Sequence, residues 1–284
     1  MVAVIIPNLD SPLIAEVIAA LDAQTARAQI AEILVVGRDT IGRVPPHVQF
    51  IDTGHPVAAA RARNLGAAHA RSEYLLFVDS DCILDPDFLT HIQARHAAGA
   101  AVVGGAVRLE PRPYWVACDN AVTFAGVLTD DAPGARAYLP SFAFSVRRAD
   151  FLAVGGFDER FPAAGGEDQD LCYRLAARGV ACVFAPAATV AHRPARATAA
   201  AVWRHLHSYG RSHVGVVAAH PQAARTRLSA RLVPLAGLLR VLAPLLALAD
   251  MLRRPLRPWL LPGMIWARTA WYWGVADGIQ VRHT

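Results

Sequence analysis

The sequence predicts an α/β fold, in which a mostly parallel β-sheet is followed by an apolar and basic helical extension. Its apolar runs are short and continuous, as at residues 2–6, which is typical of strands buried on both faces. Helical stretches separate these runs, as parallel strands require. Acidic residues follow the run at residues 74–78, where a parallel sheet binds its ligands.

The first strands and helices have clear local signals. The strand at residues 2–6 ends at Pro7-Asn8, and Ser11-Pro12 begins a helix that continues to about residue 23, because serine caps a helix and proline fits its first turn. The predicted order continues with strands at 33–36 and 48–51, a helix at 58–70 and a strand at 74–78.

The rest of the predicted domain continues this alternation. Its elements are a helix at 86–97, strands at 101–108 and 142–146, a short helix at 149–154, a helix at 168–178 and strands at 180–184 and 190–192. Residues 111–140 mix Pro, Trp, Asp and Gly without a period, and we expect a long loop or a mobile segment there.

Charge is divided unevenly along the 284 residues. Residues 1–192 contain 15 Arg and 21 acidic residues, a net charge of −6, whereas residues 193–284 contain 13 Arg and 2 acidic residues, a net charge of +11. The two parts add up to the formal net charge of +5, and the chain contains no lysine. An acidic body is therefore joined to a basic, apolar tail.

The cysteines and the N-terminus predict an intracellular protein. The chain enters its first strand without the basic and apolar segments of a signal peptide, so we expect the body in the cytoplasm. The cysteines lack the close spacing of a Cys-x-x-Cys metal site and are interpreted as buried thiols in a reducing compartment: Cys82, Cys118, Cys172 and Cys182.

Asp79, Ser80 and Asp81 form the first candidate site. Side chains alternate along an extended chain, so the two carboxylates point the same way. Such a pair can bind a hard cation such as Mg²⁺ or Mn²⁺, which would in turn hold a phosphate of a substrate. Two acids at a strand end can also be solubilising turn residues.

A second candidate site begins the helix at residues 168–178. Glu167, Asp168 and Asp170 follow the flexible pair Gly165-Gly166. Acids at a helix start are stabilised by the helix dipole, which is sufficient to explain them. A carboxylate held near a metal site can also serve as a general base toward a hydroxyl group.

Two further motifs have both a structural and a functional interpretation. Arg61 and Arg63 can both be solvated helix residues, whereas the pair Arg63-Asn64 can instead contact a nucleotide or its phosphates. His192 follows a strand and is either structural or the nitrogen ligand in a mixed nitrogen and oxygen set that suits Mn²⁺.

The order of these motifs resembles that of the family 2 glycosyltransferases, which have the GT-A fold. The resemblance covers roughly residues 2–195, and because five motifs occur in the right order it is specific. The matching segments are residues 4–8, 62–66, 74–81, 147–159 and 166–174.

The resemblance implies transfer of a sugar from a nucleoside diphosphate donor, usually with inversion at the anomeric carbon. Asp79 and Asp81 look like the family's DxD motif, with Asp81 as the direct ligand of Mn²⁺ or Mg²⁺. Asp168 matches the catalytic base, with Glu167 as second choice, and His192 lies where some members have a further metal or diphosphate contact. The nucleotide-sugar pocket would include Pro7, Asn8, Arg63, Asn64, Asp79 and Ser80.

One segment departs from the family pattern. Members commonly have two adjacent acids after the second strand, one of which contacts the base. Here the segment is Val36-Gly37-Arg38-Asp39-Thr40, with a single acid displaced by two positions. Asp39 can take this role, with UDP as the default nucleotide and dTDP and GDP open.

The tail predicts an amphipathic, membrane-associating extension at residues 228–275. Its apolar stretches, 232–252 and 259–275, contain Arg240 and Arg268, which oppose a spanning helix. Leu235, Leu238, Leu239, Leu242, Leu245 and Leu246 form one stripe, whereas Ala236, Gly237, Arg240, Ala243 and Ala247 lie opposite, and Pro234 and Pro244 interrupt the stretch.

Arginines and aromatic residues of the tail suit an anionic membrane surface. They are Arg253, Arg254, Arg257, Trp259, Trp266, Trp271, Tyr272 and Trp273. Packing of the tail on the catalytic domain or in a homodimer is the alternative. Nucleic acid is disfavoured because the arginines are interspersed with Leu and Trp.

The sequence therefore predicts a catalytic domain at residues 1–195 and a helical extension at residues 196–284. The expected protein is a metal-dependent glycosyltransferase, peripheral at the inner face of the cell membrane, that acts on a glycan, lipid-linked or small-molecule acceptor. A sugar-phosphate nucleotidyltransferase is one alternative, although residues 7–13 lack the glycine-rich basic loop that it needs. A catalytically silent membrane scaffold is the other.

Overall fold

The computed structural model describes residues 1–111, 113–161, 165–221, 236–253 and 257–283. The chain forms two compact units. The sheet unit comprises Met1–Arg108 and Gly126–Arg193, and the helical unit comprises Leu109–Ala125 and Pro194–Thr284. The predicted division into two functional domains at residue 195 stays a prediction.

A single mixed sheet organises the sheet unit. Its strands are β1 (Val2–Leu9), β2 (Ile30–Arg38), β3 (Gln49–Asp52), β4 (Tyr74–Val78), β5 (Cys82–Leu84), β6 (Val102–Val107), β7 (Gly134–Arg136), β8 (Ala143–Arg147) and β9 (Cys182–His192). The strand order is β3-β2-β1-β4-β8-β6-β9-β5, and β7 pairs with β9. Within the described residues β5, β7 and β8 run opposite to the other six strands, which confirms the predicted, mostly parallel sheet.

Nine α-helices occur in the described residues. They are α1 (Ile14–Asp22), α2 (Ala59–His69), α3 (Phe88–Ala97), α4 (Tyr114–Thr123), α5 (Arg148–Ala153), α6 (Glu167–Ala177), α7 (Ala199–Ala219), α8 (Ala236–Leu252) and α9 (Leu261–His283). The helices α4, α7, α8 and α9 belong to the helical unit, and the other five belong to the sheet unit.

Close packing of α2 on the sheet fixes the helix that carries Arg63. A Cβ atom at Gly66 would lie 2.4 Å from the side chain of Ile5 in β1, so only glycine permits this approach. The core beside it is aromatic: the rings of Phe77, Phe151 and Phe157 have centroids 5.1–5.6 Å apart. These contacts pack α2 against β1, and they pack β4 against α5 and the segment before α6.

Three predicted elements differ in the structure. The long loop expected at residues 111–140 is wrong, because Tyr114–Thr123 forms α4, which buries seven side chains, and Gly134–Arg136 forms β7. The two strands expected at 180–184 and 190–192 are one strand, β9. The first helix begins at Ile14 and not at Ser11, whose hydroxyl instead accepts from the N–H of Leu13.

Glycines allow the helices of the helical unit to cross closely. A Cβ atom at Gly274 of α9 would lie 1.9 Å from the carbonyl oxygen of His207 in α7. A Cβ atom at Gly210 of α7 would lie 2.0 Å from the carbonyl oxygen of Trp271. The backbones of α7 and α9 are therefore in contact, as in small-residue helix pairs.

Ion pairs also connect these helices, and the Asp119 carboxylate among them is buried. The Asp119 carboxylate accepts from Arg196 Nε at 2.9 Å and contacts His205 Nδ1 at 2.7 Å. Asp250 of α8 accepts from Arg268 Nε and the Tyr272 hydroxyl of α9, both at 2.8 Å. Asp277 of α9 binds Arg240 of α8 and His207 of α7. Arg240 and Arg268 therefore bind acids within the bundle.

The packing of α8 differs from the sequence pattern. Its small residues Ala236, Ala243 and Ala247 are buried, whereas Leu238 and Leu245 of the predicted apolar stripe are exposed. Pro244 lies inside the helix, so the expected interruption is wrong there, and Pro234, Leu235 and Arg254 lie outside the described residues.

Among the described helices, none combines the length and the apolar character needed to cross a membrane.

Candidate functional site

The turn after β4 carries Asp79, Ser80 and Asp81 at the carboxyl end of the parallel strands. The N–H of Asp79 donates to the carbonyl of Phe142 at 3.1 Å, and the N–H of Cys82 donates to the carbonyl of Asp79 at 3.0 Å. The Ser11 hydroxyl donates to the carbonyl of Ser80 at 2.7 Å. Three hydrogen bonds therefore fix the backbone that presents the two carboxylates.

Arg63 connects this turn to the start of α6. Its guanidinium donates to Asp79 Oδ1 at 2.6 Å and to Glu167 Oε1 at 3.1 Å, and the residue is only 3% exposed. Burial disfavours the charge of Arg63, but the carboxylates of Asp79 and Glu167 raise its pKa above the usual value. A permanent positive charge is thus held between two acids that are far apart in sequence.

Glu167 is fixed from both sides. One carboxylate oxygen accepts from Arg63, and the other accepts from the N–H of Gly165 at 2.8 Å. Gly166, at the N-cap of α6, has φ 106°, a left-handed backbone that favours glycine. The Gly165-Gly166 pair therefore allows the acidic helix start to turn toward Arg63.

Asp168 is half-buried beside Glu167, and its pKa is strongly raised. Burial, and next the negative charge of Glu167, raise the pKa of Asp168 to about 7. The N–H of Gln169, which donates to Asp168 Oδ1 at 2.8 Å, and the charge of Arg63 oppose this shift. Near neutral pH, Asp168 can both accept and release a proton.

Asp81 and His192 come together because β5 pairs with β9. Cys82 lies opposite His192 in this antiparallel pair, and the N–H of Arg193 donates to the carbonyl of Asp81 at 2.8 Å. His192 Nε2 lies 3.5 Å from Asp81 Oδ1, and ligand atoms of Asp81, Cys82 and His192 all lie within 4.8 Å of one another.

The donor set of this cluster fits Mn²⁺ or Mg²⁺. Burial, followed by the charges of Asp81 and Asp79, raises the pKa of the Cys82 thiol well above its usual value, and sulfur is a soft ligand that Mn²⁺ and Mg²⁺ disfavour. Carboxylate and imidazole therefore remain as ligands, a combination that suits Mn²⁺ in particular. Two ligands on one such ion lie about 3 Å apart, close to the observed separation of Asp81 and His192.

The predicted nucleotide residues on β1 and β2 lie at the same edge of the sheet. Pro7 and Asn8 are paired with Val36 and Gly37 in parallel register. Asn8 is buried, and its side chain donates to the carbonyl of Arg38 at 2.8 Å. Gly37 has φ 136°, and a Cβ atom there would lie 2.0 Å from the carbonyl oxygen of Asn8.

Asp39 is occupied within its own loop, where its carboxylate accepts from the backbone N–H groups of Arg43 and Val44 at 3.0 and 2.8 Å. Sequence reasoning missed the acid that does contact the end of β2. Asp10, with φ 52°, accepts from Arg38 Nε at 2.9 Å. Its position directly after the first strand is a signal that could have identified it.

Asn64 binds the segment before α6. Its side-chain N–H₂ donates to the carbonyl of Phe157 and to Glu159, both at 2.9 Å, and its side-chain oxygen accepts from the N–H of Phe157 at 2.9 Å. These contacts give Asn64 a positioning role in the structure, whereas its predicted contact with a nucleotide stays a prediction.

Two families match parts of the chain, mostly within the sheet unit. Residues 3–115 match the family described as glycosyl transferase family 2, and residues 139–195 match the N-terminal domain of galactosyltransferase. The predicted resemblance to the family 2 glycosyltransferases is therefore confirmed. Both matches include parts of the candidate site, since the first contains Arg63, Asp79 and Asp81 and the second contains Glu167, Asp168 and His192.

Relatives of this chain include a validoxylamine A glucosyltransferase of Streptomyces hygroscopicus subsp. jinggangensis. It is 32% identical over 161 residues, which cover 45% of this chain and 37% of the relative. A pre-mycofactocin glycosyltransferase of Mycobacterium tuberculosis is 29% identical over 153 residues, which cover 51% and 32%. The chain thus spans about a third of the length of these relatives.

Solved structures share the fold of this chain. The mannosyltransferase PcManGT from Pyrobaculum calidifontis has a TM-score of 0.56 at 17% identity, over 99% of this chain and 74% of that one. GalNAc-T7 has a TM-score of 0.55 at 14% identity, over 78% and 51%. S. aureus TarS also has a TM-score of 0.55 at 14% identity, over 98% and 55%. These likenesses confirm the predicted GT-A fold.

Proposed function

We propose that this protein transfers a sugar from a nucleoside diphosphate donor to an acceptor hydroxyl group, with a UDP-sugar as the default donor. The bridge that Arg63 forms between Asp79 and Glu167 carries the proposal. It holds the end of β4 beside Glu167 and Asp168, so donor and acceptor groups would meet there. The family match supports sugar transfer over the nucleotidyltransferase alternative.

A divalent metal belongs to this proposal. GalNAc-T7 was crystallised with UDP, GalNAc and Mn²⁺, and PcManGT was crystallised with GDP-Man and Mn²⁺. In this chain Asp81 and His192, with Asp79 at the same turn, would hold the ion. When bound, Mn²⁺ or Mg²⁺ supplies charge neutralisation for the departing diphosphate.

Asp168 is the proposed general base, and Glu167 is the second choice. Glu167 is engaged by Arg63 and Gly165, whereas Asp168 has a pKa of about 7 that suits proton transfer near neutral pH. Asp168 would take the acceptor proton while the acceptor oxygen bonds to the anomeric carbon. The bond from that carbon to the diphosphate oxygen breaks at the same time, with inversion.

The proposed acceptor is lipid-linked or otherwise close to the inner face of the cell membrane, which implies a peripheral protein of the cytoplasm. The net charge of +11 in residues 193–284 and their apolar stretches support this placement. The catalytically silent scaffold is the alternative, and it predicts membrane binding without nucleotide binding.

Thermal unfolding with UDP, GDP and dTDP, each with and without Mn²⁺, tests the donor site. One nucleotide should raise the unfolding temperature only with the metal, since ligands stabilise by mass action. Asp81→Ala should abolish this shift, whereas Glu16→Ala, an exposed acid on α1, should retain it. Absence of a shift with all three nucleotides would favour the scaffold alternative.

Release of the nucleoside diphosphate from the donor sugar, measured without added acceptor, tests the base separately. Water replaces the acceptor hydroxyl in this slow reaction. Asp168→Asn should retain the metal-dependent thermal shift but lose about 10²–10⁴-fold in rate, the usual contribution of a general base. An unchanged rate in Asp168→Asn would instead assign the role of general base to Glu167.

A further inference from the structure

The helix α8 presents a continuous apolar stripe to its surroundings. The α8 stripe consists of Leu238, Val241, Leu245, Leu248 and Leu252, at helical spacing of three or four residues. These side chains are 45, 75, 65, 36 and 60% exposed, respectively. This 17-residue helix therefore exposes five large apolar side chains on the side that faces away from its neighbours.

Charged groups of α8 point away from the stripe. The sequence of α8 contains two charged residues, Arg240 and Asp250. Arg240 binds Asp277 and Gln280 of α9, and Asp250 accepts from Arg268 and Tyr272 of α9. The charged groups of α8 would therefore keep their partners in α9 if the α8 stripe were buried in an apolar medium.

Two exposed tryptophans of α9 have their polar atoms satisfied, and one of them, Trp273, contacts α8. Trp273 Nε1 donates to the carbonyl of Arg240 in α8 at 3.2 Å, and Trp266 Nε1 donates to the carbonyl of Ala199 at 3.1 Å. Their rings are 39 and 43% exposed and both contact the ring of Trp203. Exposed indoles beside an apolar helix are typical of the boundary between lipid headgroups and acyl chains.

Electrostatics favour an anionic surface over a second copy of the chain. Asp119, Asp250 and Asp277 are each paired with arginine inside the helical unit, while residues 193–284 contain 13 Arg and 2 acids. Arg253 is exposed directly after the α8 stripe. Two copies that met through this stripe would bring the same positive charges together, whereas acidic lipids would neutralise them.

We propose that the α8 stripe lies in the surface of an anionic lipid bilayer, with α8 parallel to the membrane plane. The stripe would enter the acyl boundary, and Arg253 would contact lipid phosphates. This inference rests on the membrane-proximal acceptor proposed above. The membrane-facing side of α8 differs from the one that the sequence predicted. Leu239 of the predicted stripe is buried, and the exposed stripe includes Val241, Leu248 and Leu252 instead.

Cosedimentation of the full chain with phosphatidylcholine vesicles, with and without phosphatidylglycerol, tests the proposal. The wild type should bind the anionic vesicles at least about tenfold more tightly than the neutral ones. Val241→Asp/Leu245→Asp should lose about tenfold or more in binding to anionic vesicles, because two charges would enter the acyl boundary. Leu152→Asp, at a 48% exposed leucine of the sheet unit, is the matched control and should bind as the wild type does.

Two further measurements separate this proposal from others. The metal-dependent nucleotide shift should be the same in Val241→Asp/Leu245→Asp and the wild type, so a failure of lipid binding leaves the donor site untouched. Equal vesicle binding by the double variant and the wild type would overturn the proposal. A wild-type dimer in sedimentation equilibrium that the double variant converts to a monomer would instead assign the stripe to a second copy.

Discussion

The guanidinium of Arg63 and the carboxylate of Asp79 are joined by a hydrogen bond of 2.6 Å that connects α2 to the end of β4. Arg63 also binds Glu167, 104 residues further along the chain. The two carboxylates therefore compensate a buried positive charge, and Arg63 in turn fixes their positions. A donor phosphate and metal would enter a region whose charges are already ordered.

Replacement of Arg63 by methionine should disrupt both stability and nucleotide binding. Loss of one partner leaves the buried Glu167 carboxylate uncompensated, and we expect a decrease of about 3–5 kcal/mol in the free energy of unfolding. Denaturant unfolding measures this change, and the thermal shift with nucleotide and Mn²⁺ measures binding. Arg61→Met, at an exposed position of the same helix, should change stability by less than about 0.5 kcal/mol. Equal effects of the two variants would contradict the bridging role.

The raised pKa of Asp168 predicts a stability that falls as pH rises. The unfolded state releases this proton near pH 3.8, whereas the folded state releases it near pH 7. Between these values the folded state binds more protons, so stability decreases with pH across that window. The full difference corresponds to about 4 kcal/mol, but solvent screens the half-buried Asp168, so we expect the wild type to lose about 1–3 kcal/mol from this group between pH 4 and 8. Asp168→Asn lacks the titrating group.

Denaturant unfolding of wild type and Asp168→Asn at several pH values checks this expectation. The difference in stability between them should shift in favour of the variant as pH rises from 4 to 7. Glu16→Gln, at an exposed acid, should track the wild type at every pH. A pH-independent difference between the wild type and Asp168→Asn would show that Asp168 titrates in its ordinary range.

Short-range patterns predicted most of the sheet unit. Tyr74–Val78 has the predicted bounds, and the acids after it and at the start of α6 lie at the expected carboxyl edge of the sheet. These features depend on local apolar runs, glycines and acids. The contact of Arg63 with Glu167 depends on tertiary folding, and no pattern around Arg63 distinguishes it from the exposed Arg61.

The tail shows what helical periodicity leaves open. The sequence pattern of α8 separates a leucine-rich face from an alanine-rich face, but it does not determine which face packs against the other helices. Ala243 and Ala247 are buried because small residues allow a close helix approach, and Arg240 reaches Asp277 on that side. The helix α4 was missed for a related reason, since its burial depends on packing within the helical unit.

Removal of the His192 imidazole should weaken the binding of Mn²⁺. His192 Nε2 lies 3.5 Å from Asp81 Oδ1, so the two groups can share one ion. We expect His192→Gln to raise the Kd for Mn²⁺ at least about tenfold, measured by titration of the free-Mn²⁺ electron paramagnetic resonance signal. His55→Gln, at an exposed histidine, is the control. Equal affinities for the two variants would remove His192 from the proposed ligand set.

The crossing of α7 and α9 predicts opposite effects for two glycine substitutions in the helical unit. In Gly274→Ala the new Cβ would meet the carbonyl oxygen of His207 at 1.9 Å, a backbone atom that cannot move without separating the helices. We expect a loss of about 2–3 kcal/mol in the free energy of unfolding. Gly237→Ala in α8 would meet nothing within 4 Å and should stabilise the protein by about 0.5–1 kcal/mol through helix propensity. Denaturant unfolding of both variants, followed by circular dichroism, measures the two changes, and a neutral Gly274→Ala would contradict a backbone contact between α7 and α9.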